Sequence, residues 1–170
     1  MRVLLVRPDP GNERFGLGPF FRAEPLGMEY IGAALRRQGD DVTLVDLRFG
    51  LPLGYWLRRV RPEVVGIAGM HALEFDQVVA VAERVKRLFP GTFVLVGGHA
   101  VSAHPAGLAS GSIDAVCMDD GEEIVPRVVA GMLMFPVVTA LAVALGVTAG
   151  WVTAINLLDL STLEFVKGLR

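Results

Sequence analysis

A single cysteine, Cys117, stands in the 170 residues, inside the apolar run AVCM. One thiol excludes a disulfide framework within the chain, a cysteine zinc site and a cysteine-ligated iron–sulfur cluster, and it fits a reducing compartment. Histidine is nearly as scarce. His71, His99 and His104 fall in or just past two loops, without the carboxylate–histidine helix motif of a metal centre, so no metal-ligating residues are expected and a solvated or capping state is expected of each. No block of lysine or arginine occurs, and the net charge is −2 with a pI of about 5.9. That excludes a nucleic-acid footprint.

Several familiar motifs are missing as well. The phosphate-cradling G-x-x-x-x-G-K-[ST] is absent, and the G-x-G that follows the first apolar run, Gly16-Leu17-Gly18, continues as Pro-Phe-Phe. A dinucleotide fingerprint is therefore disfavoured. A phosphoacceptor receiver needs an aspartate at the end of the third run, where Ala68-Gly69-Met70 stands instead. The opening MRVLLVRPDP holds four apolar residues before Arg7, too few for a signal-peptide core, and reads as a first strand.

What is present is a chain that is 52% hydrophobic and 20% charged, enough for one domain core with a remainder. Residues 128–158 carry no charge, and the composition changes near Pro126. Before that point, five near-continuous apolar runs at 2–6, 41–45, 64–68, 93–96 and 115–118 predict strands covered on both faces. Helical spacing links them. Residues 26–38 place Ile31, Ala34 and Leu35 on one side and stop at Gly39; residues 76–89 place Val78, Val81, Ala82, Val85 and Leu88 on one stripe. Short helices are expected at 54–59, 105–109 and after Gly121. Alternation of this kind predicts an α/β fold, a doubly wound five-stranded parallel sheet of the flavodoxin-like or Rossmann-like type, followed by an apolar helical C-terminal segment.

In such sheets ligands bind outside the carboxyl ends of the strands. The loops to inspect are 7–25, 46–53, 69–73, 97–102 and 119–123. Glycines recur there, at Gly69, Gly97, Gly98 and Gly121, where a missing Cβ admits close backbone approach to a ligand or simply allows a tight turn. A flavin site stays open on these residues, with Phe15, Phe20, Phe21 and Tyr55 as aromatic walls.

Taken together, RPDPGNERF, EPLGMEYIGAALRRQGDDVTLVDL, RPEVVGIAGMHA, VKRLFPGTFVLVGGHA and IDAVCMDDGEEIVP resemble the N-terminal cobalamin (B12)-binding domain of cobalamin-dependent radical S-adenosylmethionine enzymes. The likeness covers residues 1–126. It implies a cobalamin site at Ala68, Gly69, Met70, His71, Gly97, Gly98, His99, Asp120, Gly121 and Glu122, with Gly97-Gly98 letting backbone lie against the nucleotide tail. Two departures carry further implications. Ala68-Gly69-Met70 replaces the Ser-x-Leu of the wider fold, which implies one hydrogen bond fewer to the tail. The Asp-x-His-x-x-Gly that supplies a cobalt ligand is also absent, and residues 7–25 contain no histidine, which implies cobalamin bound with its own base displaced and no protein histidine on cobalt. The fifth loop reads Asp119-Asp120-Gly121-Glu122-Glu123, where many relatives have Gly-Glu-Gly-Glu.

From Val125 onward the chain resembles part of the permease subunit of Mla-type phospholipid ABC transporters, through Pro-Arg-Val-x-Ala-Gly, Pro136, Gly146, Gly150 and Leu-Asp-Leu-Ser. The uncharged run exceeds the roughly 20 residues that span a bilayer. The two likenesses imply a chimeric chain with domains at 1–126 and 127–170. The expected function is cobalamin binding as the cofactor module of a radical enzyme whose three-cysteine domain lies outside these residues; the chain alone is not expected to be an enzyme. Expected partners are cobalamin, a separate radical domain and, through residues 128–158, a membrane, with a cytoplasmic location otherwise. The alternatives are a membrane-associated lipid-transport component or sensor and a flavodoxin-like electron carrier binding flavin mononucleotide.

Overall fold

The computed structural model describes residues 1–10, 24–103, 108, 110–118, 120–144 and 163–164. The five apolar runs form β1 (Arg2–Arg7), β2 (Asp41–Asp46), β3 (Val64–Ala68), β4 (Phe93–Gly97) and β5 (Ala115–Cys117). All five pair in parallel: Leu5 stands opposite Leu44 and Gly66, Gly66 opposite Leu95, and Gly97 opposite Cys117. Their branched side chains suit a pleated surface covered on both sides. The helices are α1 (Leu26–Arg37), α2 (Leu53–Val60), α3 (Phe75–Leu88), α4 (His99–Ala103) and α5 (Gly121–Ala144).

With β6 at Leu163–Glu164, the strand order is β2-β1-β3-β4-β5-β6, so the chain reverses its direction of travel across the sheet between β1 and β3. This is the doubly wound arrangement with its topological switch point at β1 and β3. Leu35 of α1 and Val128 of α5 bury with Val3, Leu5 and Leu95 on one face; Leu57 of α2 and Val78 of α3 bury with Leu4, Val6 and Val96 on the other. Each such side chain contributes about 1.5–3 kcal/mol through its removal from water. Helix α1 stops where Gly39 takes φ +95° and the Asp40 N–H donates to the Leu35 carbonyl at 3.1 Å. A left-handed glycine closes the last turn in this way without a Cβ clash.

Three features differ from the sequence reading. A two-residue strand, β6 (Leu163–Glu164), pairs antiparallel with β5. Strand β5 would otherwise end the sheet with unpaired N–H and C=O groups, and an extended segment satisfies them, so the C-terminal segment is not wholly helical. A short helix that was not expected runs from His99 to Ala103 after β4, and of the expected 105–109 all but Leu108 lie outside the described residues. Helix α5 runs unbroken through Pro126 to Ala144, and among the described residues no helix is long and apolar enough to cross a membrane. Phe15, Phe20, Phe21, His104, Asp119, Gly146 and Gly150 lie outside the described residues.

Candidate functional site

Period-2 alternation aims Leu5 of β1, Gly66 and Ala68 of β3, Leu95 and Gly97 of β4 and Cys117 of β5 at the face covered by α1 and α5. Near the carboxyl ends, three of these six are glycine or alanine. The sheet there is left bare, and a slot of about 430 Å³ opens between it and the two helices. Pro25, Gly27, Met28 and Ile31 line it from α1 and its entry, and Gly121, Glu122 and Val125 line it from α5. It sits against β1 and β3, at the switch point, where open α/β sheets take their ligands. Its volume falls in the range usual for small-molecule sites.

Eight of the ten residues proposed from the sequence line this slot: Ala68, Met70, Gly97, Gly98, His99, Asp120, Gly121 and Glu122. Ala68 and Gly97 end their strands, Met70 and Gly98 follow in the loops, His99 opens α4, and Asp120 to Glu122 lead into α5. Gly69 and His71 are outside the lining. Gly69 is buried, and a Cβ on it would come 2.7 Å from Val101 Cγ2; His71 is exposed. The apolar wall was not picked out in the sequence reading. Leu5, Met28, Leu95 and Val125 are indistinguishable there from other core residues, and only strand alternation and register show that they share a face.

The glycine pair has a neighbour nearer than any ligand. Gly98 takes φ +121°, and a Cβ on it would lie 2.7 Å from the Gly69 carbonyl oxygen. A Cβ on Gly97 would lie 3.2 Å from Cys117 Cβ. The loops after β3 and β4 are lashed together: Gly69 N–H donates to Gly97 O at 2.8 Å, and Ala100 N–H to Gly69 O at 3.3 Å. Gly98 therefore serves first to bring two backbones into contact, and the rim of the slot is formed as a result.

Polar groups are segregated to the mouth. His99, Ser102, Asp120 and Glu122 are exposed, whereas Leu5, Met28, Leu95, Cys117 and Val125 are buried. Ser102 donates its hydroxyl to the Met118 carbonyl at 2.6 Å, tying α4 to the end of β5. No lysine or arginine lines the slot among the described residues, and no group of three His, Cys, Asp or Glu residues suited to a metal ion occurs among them. At the carboxyl ends of β1 and β2, Arg48 binds Asp46 through Nη2–Oδ2 at 2.5 Å and Nε–Oδ1 at 2.9 Å, and its own N–H donates to Oδ1 at 3.0 Å. Burial works to raise the Asp46 pKa, but the Arg48 hydrogen bonds and the charges of Arg48 and Arg7 outweigh it and hold the carboxyl below its ordinary value.

The apolar lining and the small residues of the floor fit a mostly uncharged ligand with a flat apolar part; a Cβ on Gly66 would already come 2.9 Å from Leu5 Cδ2 beside the slot. Comparison with known proteins agrees. Residues 20–129 match the B12 binding domain family, and residues 121–170 match permease MlaE, so the two overlap at 121–129. The Hopanoid C-3 methylase of Methylococcus capsulatus is 32% identical over 136 residues, which are 75% of this chain and 25% of the methylase. The chain thus spans about a quarter of that relative's length. A novel cobalamin-binding protein from Desulfitobacterium hafniense DCB-2 superposes with a TM-score of 0.51 at 17% identity, covering 74% of this chain and 58% of that one, which shows a shared fold. With the family matched over most of its length, this chain belongs to the B12-binding domain family, and its cofactor is cobalamin.

Proposed function

We propose that the chain is the cobalamin-binding cofactor module of a radical S-adenosylmethionine-type methyltransferase, and that it holds cobalamin with its own base displaced. The observation that carries this reading is the slot, which gathers eight separately proposed residues over a floor kept bare by Gly66, Ala68 and Gly97. Cobalamin, when bound, supplies a cobalt centre that carries a methyl group. The chain's own residues bind and orient it. Leu95, Met28, Ile31 and Val125 exclude water from the inserted tail, and His99, Asp120 and Glu122 meet its polar periphery at the mouth. The absence of histidine from residues 7–25 supports a cobalt without a protein histidine ligand. The methylase relative supports methyl transfer as the partner's chemistry. The three-cysteine cluster motif of such a partner is not contained in these residues, whose one cysteine is Cys117.

A flavin mononucleotide site is the poorer reading. The described lining offers no cation for its phosphate, and the carboxylates of Asp120 and Glu122 would repel a phosphate placed at the mouth. The permease match supports a second reading for residues 121–170 only, contact with a membrane or a lipid-transport partner; the domain itself we place in the cytoplasm.

Titration of the chain with hydroxocobalamin, followed by absorbance and then by electron paramagnetic resonance after reduction to the cob(II) form, tests the proposal. A saturable spectral shift without axial nitrogen splitting is expected. No shift at millimolar ligand overturns the cofactor reading, and a nitrogen triplet overturns the base-displaced reading.

A further inference from the structure

We infer that the slot selects among cobamides, the cobalamin-type cofactors that differ in their lower base, by the polarity of that base, and that it takes benzimidazole- or phenol-type bases in preference to purines. The inference rests on the cobalamin-binding reading above. Its basis is the partition of polar groups within the slot.

The inner wall consists of Leu5, Met28, Leu95, Cys117 and Val125, at 2–6% exposure, with Ile31 alongside. Apart from the Cys117 thiol and the Met28 thioether, both weak hydrogen-bonding groups, none of these side chains offers a donor or acceptor. Backbone groups do not make up the difference. Gly66, Leu95 and Gly97 have strand partners on both sides, so their N–H and C=O groups belong to the ladders, and Ala68 pairs with Gly97 on one side. Ala68-Gly69-Met70 carries no hydroxyl. The one hydroxyl among the described lining residues, that of Ser102, is at the exposed mouth with its proton already given to Met118 O. The remaining polar side chains, the His99 imidazole and the carboxylates of Asp120 and Glu122, are at the mouth too.

A ring seated on this floor keeps its edges against hydrocarbon. A benzimidazole bearing methyl groups, or a cresol, loses little there. Adenine brings an exocyclic amine and ring nitrogens that are hydrogen-bonded in water, and burying them without partners costs enough to weaken binding by about 5- to 150-fold. The discrimination needs no clash, because it follows from polar groups left unpaired.

The test is a set of affinities measured on the whole chain by absorbance titration. The p-cresolyl and adeninyl cobamides are the main pair, since a phenolic base does not bind cobalt and an adenine binds it weakly, so that their difference reports the slot. Cobinamide, which has no base, completes the set. The p-cresolyl form should bind at least about 5-fold more tightly than the adeninyl form, and more tightly than cobinamide. Equal affinity of the two cobamides, or tighter adeninyl binding, overturns the inference; so does cobinamide binding as tightly as the p-cresolyl form, because the slot would then not hold the base. Failure of all three to bind would count against the cofactor reading itself.

Discussion

Replacing Gly98 by alanine is expected to weaken the fold before it weakens the site. The residue holds φ +121°, and the added Cβ would lie 2.7 Å from the Gly69 carbonyl oxygen and 3.2 Å from both Gly69 C and Gly69 N. None of those atoms is the free end of a flexible side chain. They are backbone, fixed by the 2.8 Å bond from Gly69 N–H to Gly97 O and the 3.3 Å bond from Ala100 N–H to Gly69 O. A non-glycine residue forced into a sparsely populated backbone region costs about 1–3 kcal/mol. Overpacking against a rigid neighbour costs about 1–3 kcal/mol more. The total of about 2–6 kcal/mol is a large part of the 5–15 kcal/mol that ordinarily holds a domain together. Urea denaturation followed by circular dichroism should show a markedly lowered midpoint with an unchanged slope. Titration with hydroxocobalamin at low urea should still show binding in the folded fraction. The reasoning fails if Gly98→Ala keeps the wild-type midpoint and yet binds no cobalamin, for the missing Cβ would then be reserved for ligand.

Two further outcomes follow from other contacts. A chain ending at Pro126 loses Val128 and Val129, at 4% and 0% exposure, and should be less stable than one ending at Leu133 by about 3–6 kcal/mol, read from urea midpoints; equal midpoints would refute the placement of α5 in the core. The Asp46 carboxyl, with its folded pKa held below the ordinary 3.8, contributes stability that is full above that value and is lost as pH falls through the folded pKa, so the stability gap between wild type and Asp46→Asn should narrow from pH 7 to pH 3, and a gap unchanged by pH would refute it.

Strands were the most legible part of the molecule. A run such as RVLLV or FVLV is apolar on both faces, and few structures other than a doubly covered parallel strand satisfy it. The ends were less so: Arg7, Asp46 and Gly97 extend their strands by one residue because ladder pairing continues past the last apolar side chain. The site was legible as a set of loops but not as a cavity. Sequence position placed Ala68, Gly97 and Glu122 near one edge of the sheet, but the slot is made by what α1 and α5 leave uncovered, and that depends on helix placement. Gly98 shows the limit most clearly. Its identity signalled a close approach, and only coordinates could say that the approaching group is the backbone of Gly69. Strand β6 was not legible at all, since two residues have no periodicity and pair because β5 has an open edge.

In helix α5 a change of composition falls inside a continuous helix. Charge disappears after Arg127, which draws the eye to Pro126 as a boundary. The buried residues of the helix, Ile124, Val125, Val128 and Val129, recur at the spacing of a single helical stripe, and they bury with Met28 and Leu35 of α1. That stripe takes no account of the boundary. It continues through partly buried Met132 and ends at Leu133, which is 50% exposed. The B12-binding match ends at residue 129 and the permease match begins at 121, so both families claim the same two turns of helix. An apolar stripe with 3.6-residue spacing satisfies both, because a helix packed on a sheet and a helix packed in a bundle each need small and branched hydrocarbon on one side. Residues with a partner to bury against decide the local fold, and for 124–129 that partner is α1.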